Sequence, residues 1–304
     1  MSRFLPAVLV VVLSACGTPA PAVNPGVDSG TPAVDAGTSS TDAGVDAGMT
    51  PDAGQVVVDA GVPRCSFYDA RVNCPPVITP VAGRDVYWQS PSSPAPAAGF
   101  PAVIIYQGSF FAPSTVWNEV PSSSLFGGFH QARMHALLLE RGFTVITPSA
   151  LAGVAWQTNS GLPWDTTSDK AFIDALLDGL RGGTFGAVDL TRVFAGGISS
   201  GGYMTSRMAV SYPGVFRALF IHSGSYATCA GVACIIPSTM PVDHPPTRFL
   251  HGRADLTVPL YTAEQYQQRL TAGGIENDIV IDDAAGHEWL SIAPERIVEW
   301  LEAH

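Results

Sequence analysis

The sequence predicts one α/β domain in which helices cover both faces of a mostly parallel sheet. Strand-like and helix-like patterns alternate from about residue 80 to the end, as is typical of parallel strands joined by crossover helices. A glycine-flanked serine lies where a predicted strand meets a predicted helix. Residues 64–304 are also enough to build one large core, so we expect a single doubly wound domain there.

The predicted elements follow from hydrophobic periodicity. Strand patterns are short and rich in β-branched residues, whereas helix patterns place apolar residues every three or four positions. In chain order the sequence predicts strand 103–106, helix 129–140, strand 143–148, helix 169–180, strand 193–198, helix 203–212, strands 218–223 and 248–252, helix 261–270, strand 278–282 and helix 294–301.

The first 16 residues have the features of an export signal. Arg3 precedes an apolar stretch, residues 5–13, that is too short to span a bilayer, and Leu-Ser-Ala-Cys follows it. This pattern resembles a bacterial lipoprotein signal, in which Cys16 would be lipidated. The alternative is an ordinary secretory signal that is cleaved nearby, and either interpretation predicts an exported protein.

Residues 17–63 are predicted to form a disordered acidic linker. They repeat Asp-Ala-Gly at irregular spacing and contain no aromatic residue, so they offer too little apolar area to offset chain entropy. A calcium-binding repeat is the alternative, but it needs a regular glycine-aspartate consensus that is missing here. We therefore interpret this segment as a spacer.

The five cysteines fit an oxidising compartment. If Cys16 carries lipid, Cys65, Cys74, Cys229 and Cys234 remain, and four cysteines allow three pairings. The local pairing of the first two and of the last two is favoured because each bond would close a short loop. A zinc site is the alternative, but no metal-ligand spacing supports it, and no metal or cofactor is expected.

The run Gly-Ile-Ser-Ser-Gly at 197–201 is a G-x-S-x-G motif. The turn that exposes such a serine is strained and crowds the residues two before and two after it, so both must be very small. Ser199 has glycine at both positions, whereas centring the motif on Ser200 would put Ile198 in a crowded one. We therefore predict that Ser199 is a nucleophile.

A serine nucleophile needs a base and a carboxylate, which in this type of fold follow it in the order acid, histidine. Asp255 follows one predicted strand and is the candidate acid, while His287 follows another and is the candidate base. Asp243 precedes its strand, and Asp282 and Asp283 lie too close to His287 in sequence to reach its ring from another loop. Four other histidines are treated as structural, namely His130, His135, His222 and His251.

The oxyanion of an acyl-transfer intermediate needs backbone donors. One is expected from the residue after the nucleophile, Ser200, and one from the loop that follows the strand 103–106. In that loop the Ser109 N–H is predicted to donate, with Gln107 and Phe110 as alternatives. No catalytic role is assigned to the Gln107 side chain.

The charge distribution argues against a nucleic-acid partner. The net charge is −11, and the chain contains a single lysine, Lys170. Six aspartates against Arg3 account for −5 of this charge within residues 1–63. We expect a monomer that contacts a membrane only through a lipid anchor.

Taken together, GGISSGGYM, IIYQGSFF, FLHGRADLTVP and GHEW resemble the α/β-hydrolase family, and within it the extracellular depolymerases of medium-chain-length poly(3-hydroxyalkanoates). The resemblance extends from about residue 80 to the end. It implies hydrolysis of a hydrophobic polyester by Ser199, Asp255 and His287. The lipoprotein signal and the long linker depart from that family, and they suggest display on the cell envelope, with the outer membrane as the expected location.

No separate polymer-binding domain is visible, so the catalytic domain itself must hold a polymer. Aromatic residues in loops near the predicted carboxyl ends of strands are the candidate contacts, because ligands bind there in open α/β sheets. They are Phe110, Phe111, Trp117, Trp156, Trp164 and Trp289. Other functions stay open at this stage: a feruloyl or acetyl esterase, a short-chain polyhydroxybutyrate depolymerase, or a catalytically inactive surface-binding lipoprotein.

Overall fold

A computed structural model describes residues 63–159, 161–230 and 233–304. The predicted signal with Cys16 and nearly all of the predicted linker lie outside the described residues. The described strands are β1 (Ser66–Tyr68), β2 (Arg71–Asn73), β3 (Val77–Val81), β4 (Arg84–Gln89), β5 (Phe100–Tyr106), β6 (Val120–Pro121), β7 (Thr144–Pro148), β8 (Val188–Ile198), β9 (Leu219–His222), β10 (Thr247–Gly252) and β11 (Asn277–Asp282). The α-helices are α1 (Gly128–Glu140), α2 (Ser168–Arg181), α3 (Ser200–Ser211), α4 (Leu260–Ala272) and α5 (Ala293–Glu302).

Eight strands form the central sheet, in the order β11-β10-β9-β8-β5-β7-β4-β3. The six from β11 to β7 are parallel, and β4 and β3 add an antiparallel edge. This confirms the predicted α/β-hydrolase fold. A small sheet of β1, β2 and β6 is separate from the central one. Neither this sheet nor the β3–β4 edge was predicted from the sequence.

The sheet is covered on both faces, as β5 illustrates. Side chains of a strand point alternately to opposite faces. Ile105 accordingly lies in an apolar cluster with Leu138 of α1, whereas Ile104 lies in another with Leu176 of α2 and Met204 of α3. Because β5 is buried along its whole length, the backbone that leads to the candidate site is held rigidly.

The two disulfides join neighbouring cysteines. Cys65 bonds to Cys74 and Cys229 to Cys234, which confirms the local pairing that the sequence favoured. Disulfides are typical of proteins that fold outside the cytoplasm, so they support export. Within the described ranges, no helix is both long and apolar enough to cross a membrane.

The strand order places the candidate site. The chain leaves β5 for β7 on one side and then returns to β8 on the other, so the order reverses beside β5. In open α/β sheets the crevice at such a switch point, outside the carboxyl ends of the strands, is where ligands bind. The loop after β5 and the turn after β8 both open into this crevice.

Candidate active site

Ser199 lies in the turn between the end of β8 and the start of α3. Its backbone has φ 56° and ψ −120°, a region that residues with a side chain rarely occupy. The Ser199 N–H donates to the carbonyl of His222 at 3.0 Å, and its own carbonyl accepts the N–H of Tyr203 at 3.1 Å. These bonds hold the strained turn that the motif predicted.

The two motif glycines are required by contact with β5. A Cβ atom added to Gly197 would lie 2.5 Å from the carbonyl oxygen of Tyr106, and one added to Gly201 would lie 2.0 Å from the same atom. Both distances are far below van der Waals contact with a rigid backbone group. The glycines therefore let the turn pack directly on β5.

Replacing Gly201 by alanine is expected to lower the free energy of unfolding by about 3 kcal/mol, because the new methyl group must displace buried backbone. Thermal or urea unfolding of the purified variant would measure this loss. Gly179→Ala in α2 is the matched control: the added Cβ would have 3.4 Å to its nearest neighbour, and alanine favours a helix over glycine. Equal unfolding midpoints for the two variants would contradict the argument.

His287 and Asp255 are hydrogen-bonded partners. The His287 Nδ1 lies 2.8 Å from Asp255 Oδ2. The other carboxylate oxygen accepts the N–H groups of Thr257 at 2.9 Å and Val258 at 2.8 Å. This network fixes the carboxylate and leaves the far nitrogen of the His287 ring free to face the cavity that Ser199 also lines.

The electrostatics of Asp255 keep it ionised. Burial raises the pKa of its carboxyl, but the hydrogen bonds from His287 and Val258 and the nearby histidines outweigh burial and hold the pKa below its usual value. The carboxylate is thus charged throughout the neutral range. Among the rival acids, Asp283 pairs with Arg253, and Asp282 accepts the amides of its own loop.

Two backbone amides are the candidate donors to an oxyanion. The Ser109 N–H has no acceptor among the described residues, and the Ser200 N–H begins α3, where a helix leaves its first amides unpaired. The Phe110 N–H, an alternative in the sequence analysis, donates to the Val154 carbonyl at 2.7 Å, so it is occupied. The loop packs on the nucleophile, since a Cβ on Gly108 would lie 3.7 Å from Ser199 Cβ.

The side chain of Gln107 has a role that sequence reasoning missed. It is buried, its Oε1 accepts the Ala150 N–H at 3.0 Å, and its Nε2 donates to the Gly153 carbonyl at 3.0 Å. The hydroxyl of Ser200 accepts the Trp156 N–H at 3.0 Å. Both side chains thus tie the loop after β7 to the backbone that carries the two candidate oxyanion donors.

Two buried histidines that the sequence analysis treated as structural hold the loops of His287 and Asp255. His222 Nε2 accepts the Leu290 N–H at 3.0 Å, so its proton is on Nδ1. His251 Nε2 lies 2.8 Å from the Val258 carbonyl and therefore donates to it. Burial lowers the pKa of both rings, most strongly for His222, so both stay neutral and keep these bonds.

A cavity of about 290 Å³ opens beside Ser199. Its walls are largely apolar. The lining residues are Gly108, Ser109, Phe110, Phe111, Val116, Leu125, Phe126, Gly128, Gln131, Ile198, Ser199, Thr257, His287 and Trp289. In the described ranges, no group of three or more His, Cys, Asp or Glu side chains is arranged to hold a metal ion.

Three of the six predicted aromatic contacts line this cavity: Phe110, Phe111 and Trp289. The other three do not. Trp117 is fully buried and donates to Thr147 Oγ1 at 2.8 Å. Trp156 is buried against Tyr106 and Phe172. Trp164 packs against the core beneath the guanidinium of Arg207. Trp117 and Trp156 are thus buried in the core and Trp164 is half-buried against it, and none of the three lines this cavity.

Comparison with known proteins identifies one close relative. The chain is 42% identical over 250 residues to the poly(3-hydroxyoctanoate) depolymerase of Pseudomonas fluorescens, which covers 80% of this chain and 89% of that protein. No protein-family model matches.

Solved structures share the fold at low sequence identity. A truncated carbohydrate esterase from gut microbiota has a TM-score of 0.52 at 15% identity, covering 72% of this chain and 90% of that one. The acylaminoacyl peptidase of Pyrococcus horikoshii has a TM-score of 0.52 at 14% identity, covering 75% of this chain and 41% of that one.

Proposed function

The chain belongs to the family of the poly(3-hydroxyoctanoate) depolymerase of Pseudomonas fluorescens and is a carboxylic ester hydrolase; we propose that it cleaves polyesters of medium-chain 3-hydroxyalkanoic acids with Ser199, His287 and Asp255. The observation that carries this proposal is the site itself. A strained serine and a histidine bonded to a buried carboxylate line one apolar cavity.

In the first step, His287 removes the proton of the Ser199 hydroxyl as its oxygen attacks the ester carbonyl carbon. Asp255 accepts the Nδ1–H of His287 and stabilises the imidazolium that forms. The N–H groups of Ser109 and Ser200 donate to the oxyanion of the tetrahedral intermediate. His287 then protonates the departing alkoxide, which leaves as a 3-hydroxy chain end, and the acyl group remains on Ser199.

In the second step, His287 takes a proton from water as the water oxygen attacks the acyl-enzyme carbonyl. The same two amides receive the second oxyanion. Its collapse breaks the bond to the Ser199 oxygen, which recovers its proton from His287. The products are a carboxylic acid and the free enzyme, so no cofactor is consumed.

The mouth of the cavity is suited to a polymer surface. Phe110 (76% exposed) and Leu125 (71%) line the cavity, and the exposed Leu256 (94%) lies between Asp255 and the lining residue Thr257. Exposed apolar side chains grouped around a site mark a surface that binds an apolar partner. We assign these three residues, together with Phe126, to the apolar rim, which would adsorb polyester and feed its chain to Ser199.

Replacing Leu256 by aspartate should reduce clearing of a polyester emulsion several-fold more than it reduces hydrolysis of a soluble nitrophenyl octanoate, because the charge weakens adsorption of the polymer. Ile78→Asp is the matched control, since Ile78 is also exposed (52%) but lies on β3 at the far edge of the sheet. Equal losses on the polymer and on the soluble ester would count against the apolar rim.

The direct test of the function is clearing of poly(3-hydroxyoctanoate) emulsion by the purified chain, with poly(3-hydroxybutyrate) and a feruloylated sugar as comparison substrates. We expect clearing of the first polymer. Clearing of poly(3-hydroxybutyrate) alone would overturn the chain-length assignment, and release of ferulate without clearing of either polymer would favour a carbohydrate esterase. No hydrolysis of any ester would favour an inactive binding protein.

We place the enzyme, as a monomer, on the outside of the bacterial cell envelope. Its domain organisation would be a signal of residues 1–16, a lipid on Cys16, a linker of residues 17–63 and a catalytic domain of residues 64–304. The two disulfides support export. Mass spectrometry of the N-terminal peptide tests the lipid, and an unmodified terminus at another residue would refute it.

A further inference from the structure

Gln131 is the one buried polar side chain of the cavity that the proposed chemistry does not use. Ser109, Ser199 and His287 serve the reaction, and Thr257 is exposed beside Asp255. Gln131 is only 6% exposed and lies on α1. Its side-chain amide forms no hydrogen bond with any described residue.

Most of the cavity wall around Gln131 is apolar. It lies three residues after Gly128 on the face of α1 that lines the cavity, and Val116 and Trp289 are among the other lining residues. One turn further along α1, His135 is buried against the ring of Trp117, with ring centres 4.5 Å apart. Burial lowers the pKa of His135 to about 3, so this ring is neutral.

The amide of Gln131 is not among the fully buried polar atoms without a partner, so it keeps some contact with solvent in the cavity, and a substrate that fills the cavity would remove that contact. Buried polar groups in folded proteins almost always have hydrogen-bond partners. A partner brought by the substrate would satisfy the amide, whereas an alkyl chain packed against it would strip its water and give nothing in return. The cavity is therefore built for an acyl group that carries an oxygen atom beyond its reacting carbonyl.

We infer that Gln131 is a substrate-binding residue that hydrogen-bonds the oxygen on C3 of a 3-hydroxyacyl group, or the ester carbonyl joined to that oxygen. The inference rests on the proposed function, because each unit of a poly(3-hydroxyalkanoate) has this oxygen and a plain fatty acyl chain lacks it. The amide offers two donor hydrogens and one acceptor oxygen, so it suits an ester in mid-chain as well as a free hydroxyl at a chain end. Gln131 thus distinguishes 3-hydroxyacyl esters from fatty acyl esters.

The test compares kcat/KM for nitrophenyl 3-hydroxyoctanoate and nitrophenyl octanoate, using the full chain and its Gln131→Met variant. Methionine keeps the length of the side chain and removes its hydrogen bonds. The wild-type protein should prefer the hydroxy ester roughly tenfold, as expected for one buried amide left unpaired by the other ester. The variant should lose this preference through slower cleavage of the hydroxy ester.

Leu137→Met is the matched control, since Leu137 lies on the same helix but outside the cavity. It should leave the ratio of the two kcat/KM values unchanged. A general loosening of the fold lowers both values together and does not change their ratio. An unchanged ratio in Gln131→Met, or a wild-type ratio near one, would overturn the inference.

A measurement on the wild-type protein alone removes any dependence on how the variant folds. The acid 3-hydroxyoctanoate should inhibit hydrolysis of nitrophenyl octanoate at a lower concentration than octanoate does, and equal inhibition would contradict a role for Gln131. Clearing of poly(3-hydroxyoctanoate) emulsion is recorded in parallel. A protein that clears the polymer without preferring the hydroxy ester refutes the role of Gln131 alone, whereas one that prefers the hydroxy ester without clearing refutes the polymer substrate alone.

Discussion

Replacing Ser199 by alanine should lower kcat for a soluble nitrophenyl octanoate by at least about 10⁴-fold. Without the hydroxyl no acyl-enzyme can form, and the oxyanion donors and the cavity can support only a slow attack by water. The loss should fall on kcat, because the cavity that binds the ester is intact. Stopped assays of the purified variant, with the unfolding midpoint as a check on folding, measure this outcome.

Ser200→Ala is the matched control, because Ser200 is the other serine of the motif. Its hydroxyl accepts the Trp156 N–H, so its removal should cost about 1 kcal/mol of stability and a several-fold loss of activity through the loop that bears the oxyanion donors. An inactive Ser200→Ala protein beside an active Ser199→Ala protein would reverse the assignment of the nucleophile.

Replacing Asp255 by asparagine should lower kcat by about 10⁴-fold. The NH₂ group of the new amide can donate a hydrogen bond to Nδ1 of His287. This favours the tautomer whose proton is on Nε2. A protonated Nε2 cannot accept the proton of Ser199. The carboxylate would also no longer stabilise the imidazolium. The rate should be measured near pH 8, where the wild-type carboxylate is ionised because its pKa lies below its usual value.

Asp283→Asn provides the control for Asp255. Asp283 lies four residues before His287 in sequence, but its carboxylate is exposed and pairs with Arg253, and exposed ion pairs contribute little. We expect its activity to stay within about twofold of the wild-type value. A comparable loss of activity in both variants would contradict the argument that the hydrogen bond to His287 distinguishes Asp255 from Asp283.

The stability of the fold should depend on pH through two buried histidines at the carboxyl end of the sheet. His222 and His251 hold the loops of His287 and Asp255 as neutral rings, and burial keeps their pKa values below the ordinary value for histidine. Protonation of His222 would remove the acceptor of the Leu290 N–H. A group with a lowered pKa of this kind stabilises the fold above its unfolded-state pKa and loses that effect as pH falls.

Sequence alone was sufficient for the elements whose signals are local. The α/β alternation from β5 to α5 is confirmed, because buried parallel strands and amphipathic helices differ in the period of their apolar residues. The short, partly exposed strands β1 to β4 and β6 were missed, since few of their residues are buried and little periodicity results.

The sequence also predicted which groups would meet at the candidate site. The glycines around Ser199 are required by steric crowding within a turn of five residues, so the sequence alone indicates them. Asp255 and His287 each follow a parallel strand, and the carboxyl ends of these strands lie at the same edge of the sheet. What only the tertiary structure decided is which neighbours face the cavity. Trp117 and Trp289 look alike in sequence and are buried in the same apolar cluster, but only Trp289 also lines the cavity, because contacts between distant segments determine which side of a ring meets the site. The same reason applies to Gln131. That its amide has no hydrogen-bond partner among the described residues can be recognised only from the tertiary structure.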